Sequence, residues 1–217
     1  MNRTIKPSFF NALESFVLLS TFIFTEQFDR NLDLGGVEQS LQRDSLELLH
    51  HFLINVTDPG HPLGAATFAI FGISIIFSII GFNVRKVNDL LAAYLSIAWI
   101  VELITMNILL ISPLKNPTLL LIELILFVPV IVVAFAWWYW RINLVEVPGG
   151  AKAIAFSHQN PSSADYLMLS VGIFIKNNVT SHQFGNKTAR YTALANSVVA
   201  LDILGLTLSR AVSVAIG

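Results

Sequence analysis

The chain contains four long runs of apolar residues, separated from one another by polar or helix-breaking residues. These runs cover residues 63–82, 90–112, 118–140 and 191–216. Each is long enough to supply the roughly 20 residues that a helix needs to cross the hydrocarbon core of a bilayer. In lipid, every backbone polar group has to be satisfied within its own segment, so runs of this length are predicted to be transmembrane helices.

The first 62 residues have a more polar pattern. Residues 9–25 are rich in phenylalanine, but the unbroken apolar stretch, Ser15–Thr25, is short for a span and favours an interfacial helix. A signal peptide is the alternative, and it is disfavoured because no small-residue cleavage site follows. Residues 37–54 carry apolar positions on one broad face and are predicted to form an amphipathic helix against the membrane or a partner.

Composition agrees with this pattern and excludes several classes of protein. Apolar residues make up 54% of the chain and charged residues 12%, against about 25% charged residues in an average soluble domain. The net charge of −1 argues against a nucleic-acid partner, which needs a basic face. Cysteine is absent, so thiol chemistry is excluded. We expect three parts: a polar N-terminal region over 1–62, two transmembrane helices over 63–112, and a C-terminal module over 113–217.

A shorter apolar segment lies between the third and fourth runs. Ser162 and Asp165 form a capping-box pattern that opens a helix over residues 164–176. Thirteen residues give a helix of about 20 Å, which is too short to cross about 30 Å of hydrocarbon. A polar stretch, 177–190, then leads into the last run. This order is the layout of a half-length helix that enters the membrane and returns, and a surface helix on a loop is the alternative.

From about residue 118 to the end, the chain resembles the two-helix pore module of the potassium-channel superfamily. Asp165-Tyr166-Leu167 with Ser170 is similar to the pore-helix pattern of its bacterial two-helix members, and Thr188-Ala189-Arg190 is similar to their lead into the inner helix. Tyr139-Trp140-Arg141 and Pro148-Gly149-Gly150 look closer to an uncharacterised bacterial family of four-helix membrane proteins related to those channels. The resemblance implies a pore loop. It also implies a tetramer, for which the sequence gives no other support.

The sequence departs from that family at the selectivity filter. Potassium channels place Thr-Val-Gly-Tyr-Gly after the pore helix, whereas this chain has residues 175–181, Ile-Lys-Asn-Asn-Val-Thr-Ser. The pore-lining candidates in this stretch are Lys176, Asn177, Asn178 and Thr180. A ring of lysines repels potassium, so we expect anion permeation or poorly selective flow. The alternative is that Lys176 only caps its own helix and that no ion passes.

Four ionisable residues lie inside the apolar runs: Glu102, Glu123, Asp202 and Arg210. Insertion of such a residue costs roughly 2.5–3.5 kcal/mol for Asp, Lys or Arg, so these side chains are expected to be paired or to face water. We expect Arg210 to meet Glu123 or Glu102 on a neighbouring helix. The pair would be structural, or part of an ion or proton pathway.

Basic residues predict an orientation that disagrees with the resemblance. With four spans, the loops around Arg85 and over 141–190 share one side and carry seven lysines and arginines, against Lys115 alone on the other. The positive-inside rule therefore places the 141–190 loop in the cytoplasm, whereas a potassium channel has its pore loop outside. The sequence leaves both orientations open.

The sequence as a whole predicts an all-α integral membrane protein with four transmembrane helices, a short re-entrant pore-like helix and an N-terminal amphipathic region. The expected function is an ion-conducting, channel-like protein without potassium selectivity, acting as a homo-oligomer in a bacterial plasma membrane or another energised inner membrane. The alternative is a non-conducting accessory subunit of a larger membrane complex. No catalytic motif, cofactor fingerprint or metal-ligand pattern is present, so we expect neither an enzyme nor a cofactor or metal site.

Overall fold

The computed structural model describes residues 7–31, 41–111, 117–144, 152–156, 161–176 and 183–216. The chain folds as two compact units, Met1–Asn116 and Pro117–Gly217.

Helices account for nearly all of the described residues. Their bounds are α1 Pro7–Asn31, α2 Leu41–Thr57, α3 Pro62–Ile80, α4 Arg85–Ile111, α5 Pro117–Asn143, α6 Ser163–Lys176 and α7 Lys187–Ile216. Two short strands, β1 Ile154–Ala155 and β2 Gln183–Phe184, pair antiparallel. Stretches long and apolar enough to cross a membrane occur within Arg43–Ile80, Arg85–Leu109, Leu124–Asn143 and Lys187–Ser209. The prediction of an all-α fold with four helices long and apolar enough to cross a membrane is thereby confirmed.

In the first unit, α1 is longer than its apolar stretch predicts. It continues to Asn31, because a charged residue such as Glu26 bounds an apolar run without ending a helix. Ser15 of α1 donates a hydrogen bond to Asn88 of α4. Ten residues later, Thr25 accepts one from Trp99. Contacts that advance together along both helices show that α1 and α4 run in the same direction.

Helix α2 packs inside this unit. The hydroxyl of Tyr94 on α4 donates to the carbonyl oxygen of Val56 at 3.0 Å. Leu53 and Val56 form a buried apolar cluster with Ala98. The two helices therefore run antiparallel, and the face of α2 that α4 covers carries Leu53 and Val56. The apolar face predicted from sequence periodicity differs from this one, because two of its residues, Leu48 and Phe52, are exposed.

A tight turn joins α2 to α3. The carboxylate of Asp58 accepts a hydrogen bond from the Gly60 N–H at 2.8 Å, and the Asp58 carbonyl accepts one from the His61 N–H at 2.9 Å. This turn packs against Gly64, where an added Cβ would lie 2.1 Å from the carbonyl oxygen of Asp58. Only glycine fits at this position.

Candidate functional site

The second unit places the short helix α6 between two long helices. The residues of α6 that are buried are Tyr166, Leu169, Ser170, Ile173 and Phe174. Three of them, Tyr166, Leu169 and Ile173, join a core that includes Tyr139 of α5 and Ala193 of α7. One face of α6 is therefore packed against both long helices. Its opposite face exposes apolar side chains, with Met168 68% and Ile175 70% exposed.

Helix α6 begins at a cap that differs in detail from the predicted capping box. The carboxylate of Asp165 accepts hydrogen bonds from the Ser162 N–H at 2.6 Å and from the Ser162 hydroxyl at 2.7 Å. In the usual box, the hydroxyl accepts from the backbone three residues later. Here it donates to the carboxylate instead, and the helix still starts at Ser163, one residue before the predicted position.

A polar contact ties the start of α6 to the end of α5. Asn143, in the last turn of α5, donates to the Tyr166 hydroxyl at 2.8 Å, and its Oδ1 accepts from the Ile154 N–H at 2.9 Å. Burial raises the pKa of the Tyr166 hydroxyl, the hydrogen bond from Asn143 lowers it, and the charge of Asp165 raises it again. The net direction is upward, so the phenol stays protonated at neutral pH.

A second set of polar contacts lies further along α6. The Ser170 hydroxyl donates to the Val132 carbonyl of α5 at 2.8 Å. Asn196 of α7 donates to the Tyr139 hydroxyl at 3.1 Å and lies 3.4 Å from both oxygens of Ser170. Asn196, Ser170 and Tyr139 are each 0% exposed. One polar cluster therefore joins α5, α6 and α7 in the interior of the unit.

These contacts fix the direction in which α6 runs. Tyr166 meets α5 at its last turn, at Asn143, whereas Ser170 meets α5 eleven residues earlier, at Val132. Helix α6 therefore starts at the end of the unit where α5 finishes and proceeds toward its interior, antiparallel to α5.

Strands β1 and β2 lie at that same end. Ile154 of β1 is bonded to Asn143 of α5, and Phe184 of β2 is its strand partner. The Phe184 carbonyl in turn accepts a bond from the Arg190 side chain, in the first turn of α7. Gly185 approaches the neighbouring segment so closely that an added Cβ would lie 2.8 Å from the Lys152 carbonyl oxygen. The segment that precedes α6, which contains β1, is thus hydrogen-bonded beside the end of α5 to the segment that precedes α7, which contains β2.

Of the pore-lining candidates, Lys176 is exposed as the last residue of α6. Asn177, Asn178 and Thr180 lie outside the described residues, so their role stays a prediction. Within the described part of the chain, no group of three or more metal-ligating side chains comes together.

The intramembrane charges lie in both units. Glu102 is fully buried in the first unit, and Asp202 is half-buried on α7. Glu123 and Arg210 belong to α5 and α7, but their side chains lie outside the described set. The pairing of Arg210 with an acidic residue therefore stays a prediction.

Sequence reasoning missed the polar residues that join the helices of this unit. Asn196 stands in a long apolar run and Asn143 just beyond the end of another, and a polar residue at such a position is a signal for contact with a neighbouring helix. Small residues recur at four-residue spacing along the last run, and they lie in two environments. Ala193 and Ser197 are buried within the unit and allow close packing, whereas Gly205 is exposed.

Comparison with protein-family models, with curated proteins and with solved structures found no match to this chain.

Proposed function

We propose that residues 117–217 form the pore module of an ion-conducting membrane protein, with α6 as a re-entrant helix. The observation that carries the proposal is the direction of α6, which starts where α5 ends and runs between two helices that are long enough to span. At 14 residues it is about 21 Å long, shorter than the roughly 30 Å hydrocarbon core.

Chain length supports a return to the same end. Gln183 lies seven residues after Lys176 and belongs to the strand that pairs beside the end of α5. Seven extended residues reach about 23–25 Å, which matches the length of α6. A segment that enters and leaves on one side is the arrangement by which a pore loop brings a narrow constriction into the membrane.

The exposed face of α6 supports the same placement. A helix that lay in water would present polar residues on its outer face, whereas Met168 and Ile175 are apolar and mostly exposed. Such a face suits lipid or a second copy of the chain. Because one loop cannot enclose a pore, conduction requires several copies around an axis.

The position of Lys176 sets the expected selectivity. It ends α6 at the innermost point of the proposed loop, where copies of the chain would bring their lysines together. A basic ring favours anions and repels potassium. We therefore propose a channel-like protein without potassium selectivity and with preference for anions.

The test is flux from liposomes that contain the purified full-length protein, measured separately for chloride, potassium and protons. Lys176→Glu is expected to lower the chloride-to-potassium permeability ratio by at least about tenfold, because a unit charge about 4 Å away is worth about 1–4 kcal/mol and the substitution changes the charge by two units. Lys187→Glu is the matched control, because Lys187 is also an exposed lysine but lies at the start of α7 and not at the end of α6. Flux no greater than that of empty vesicles, from a protein that is a monomer in detergent, would refute the proposal.

A non-conducting accessory subunit is the second candidate, and one feature of α2 favours it. Leu48 is 72% exposed and Phe52 44% exposed on this helix, beside the exposed His51. Two apolar side chains one turn apart are suited to dock against another membrane protein. Purification of the protein from its native membrane in a defined hetero-complex, together with absence of flux, would favour this function.

A further inference from the structure

Basic side chains collect at the end of the second unit where β1 and β2 pair. Lys152 lies just before β1, and its carbonyl oxygen is close to Gly185, which follows β2. Lys187 follows Gly185 by two residues and begins α7. The Arg190 side chain donates to the carbonyl of Phe184 in β2. The side chains of Lys152, Lys187 and Arg190 are exposed, so three accessible cations lie beside one pair of strands.

A fourth cation lies at the same end of the unit, on α5. Arg141 stands in the last turn of α5, two residues before Asn143, whose side chain is bonded to Ile154 of β1. The described acidic side chain at this end is Asp165, which accepts two hydrogen bonds from Ser162. Four positive charges therefore stand against one negative charge in the described residues here, which gives this end an excess of positive charge.

The same end of α5 carries an aromatic belt, formed by Trp137, Trp138 and Trp140. These three side chains are half-buried, and the rings of Trp137 and Trp138 meet edge to face with their centroids 4.8 Å apart. Tryptophan is enriched in transmembrane proteins at the level of the lipid headgroups. The belt ends directly before Arg141, so it favours a position of the basic side chains at the headgroups.

We propose that this end of the second unit binds the headgroups of anionic phospholipids through its four cations. These cations, the basic end of the unit, are Arg141, Lys152, Lys187 and Arg190. Phosphate oxygens accept charge-assisted hydrogen bonds from guanidinium and ammonium groups. Each lysine or arginine near an anionic membrane surface strengthens binding by about fivefold. The interaction requires neither a re-entrant α6 nor conduction of ions.

The distribution of charge along the long helices supports this assignment. Residues 117–140 of α5 contain no lysine or arginine, and residues 191–216 of α7 contain Arg210 alone. The cations of the unit are therefore concentrated where the belt lies. Because anionic lipids give the cytoplasmic leaflet its negative surface potential, the basic end is expected to face the cytoplasm.

The test is quenching of tryptophan fluorescence in the full-length protein, since three of its four tryptophans form the belt. The fourth, Trp99, is buried in the first unit, where it donates to Thr25, and it supplies a background signal. The protein is reconstituted in phosphatidylcholine bilayers that contain increasing fractions of brominated phosphatidylglycerol or, separately, of brominated phosphatidylcholine. We expect half-quenching at a fraction of the anionic lipid that is lower by at least about fivefold, the effect of a single cation.

Substitution of two cations tests whether the basic end causes this preference. Lys152→Gln with Lys187→Gln leaves the belt and the Arg190 hydrogen bond in place, and it should reduce the preference by at least about fivefold. Arg85→Gln with Lys86→Gln is the matched control, because both side chains are exposed at the start of α4 in the first unit, and it should leave the preference unchanged. A test on the wild type alone is the addition of salt to about 1 M, which screens charges beyond about 3 Å and should remove the preference.

Three results would overturn the inference. The first is equal quenching of the wild type by the two lipids. The second is an equal loss of preference in both double variants, which would show that the net charge of the protein acts and not the basic end. The third is loss of the preference on addition of inorganic phosphate at constant ionic strength, which would assign the cations to free phosphate.

Discussion

The turn between α2 and α3 allows a sharp test of the fold, because glycine at position 64 is required by geometry. A Cβ there would stand 2.1 Å from the backbone oxygen of Asp58 and 2.5 Å from its carbonyl carbon. Cβ contacts under 3.0 Å are essentially never seen, so Gly64→Ala has to move the backbone of the turn by about 0.9 Å. Overpacking of this kind typically costs about 1–3 kcal/mol, and a rigid backbone contact belongs at the upper end.

The opposing effect is helix propensity, since alanine is about 1 kcal/mol better than glycine within a helix. The net expectation for Gly64→Ala is a loss of about 2 kcal/mol, or about 4–8 °C in Tm for a chain of this length. Gly72→Ala on the same helix is the matched control. A Cβ there meets nothing within 4 Å, so this variant should be as stable as the wild type or gain about 1 kcal/mol. Thermal unfolding in detergent measures both, and a Gly64→Ala protein as stable as the control would refute the packing of the turn.

Three further predictions concern the α5–α6–α7 unit. Asn196→Leu should lower the free energy of unfolding by about 0.6–1.7 kcal/mol, because interhelical hydrogen bonds in membranes are worth about that much. Thr207→Val is the control and should change it little, because the Thr207 hydroxyl donates to the Ile203 carbonyl of its own helix. Asp165→Ala removes the cap of α6 and should cost about 0.5–2 kcal/mol, seen as faster amide hydrogen exchange in the first turn of α6; unchanged exchange would contradict the cap. Gly185→Ala should break the bond from the residue-185 N–H to the Ala153 carbonyl, and retained slow exchange of that N–H would argue against the β1–β2 pairing.

Much of the fold could be predicted from the sequence because in lipid the length of an apolar run nearly determines its structure. The four long runs were predicted within a few residues of the observed helices, and the half-length helix at 164–176 corresponds to α6 at Ser163–Lys176. The ends of the helices were less predictable where the sequence has no helix-breaking residue. The helix that begins at Pro7 continues past Glu26, since a charge alone does not end a helix.

Contacts between helices could not be predicted, because the hydropathy of a segment does not indicate which other helix it packs against. Asn143, Asn196 and Asn88 are visible in the sequence as polar residues in or at the ends of apolar segments, but their partners come from helices 14 to 73 positions away. The pairing of β1 with β2 is even harder to predict from the sequence, because strands of two residues are too short to show an alternating apolar and polar pattern. These contacts are the ones that give α6 its direction, so the geometry of the candidate site depended on the structure.

Both units bury several polar side chains and leave many apolar side chains exposed, and this distribution bears on what holds them together. On α3, Ile73, Ile76 and Ile79 are 51–69% exposed, whereas Ser74 and Ser78 on the same helix are buried. Lipid tails are as apolar as isoleucine, so burial of apolar surface gives little drive for these helices to associate. Close packing and hydrogen bonds have to supply it, and in each unit the buried polar contacts join three helices at one place. A substitution that makes such a position more hydrophobic should therefore destabilise the protein, which is the reverse of the expectation for the core of a soluble domain.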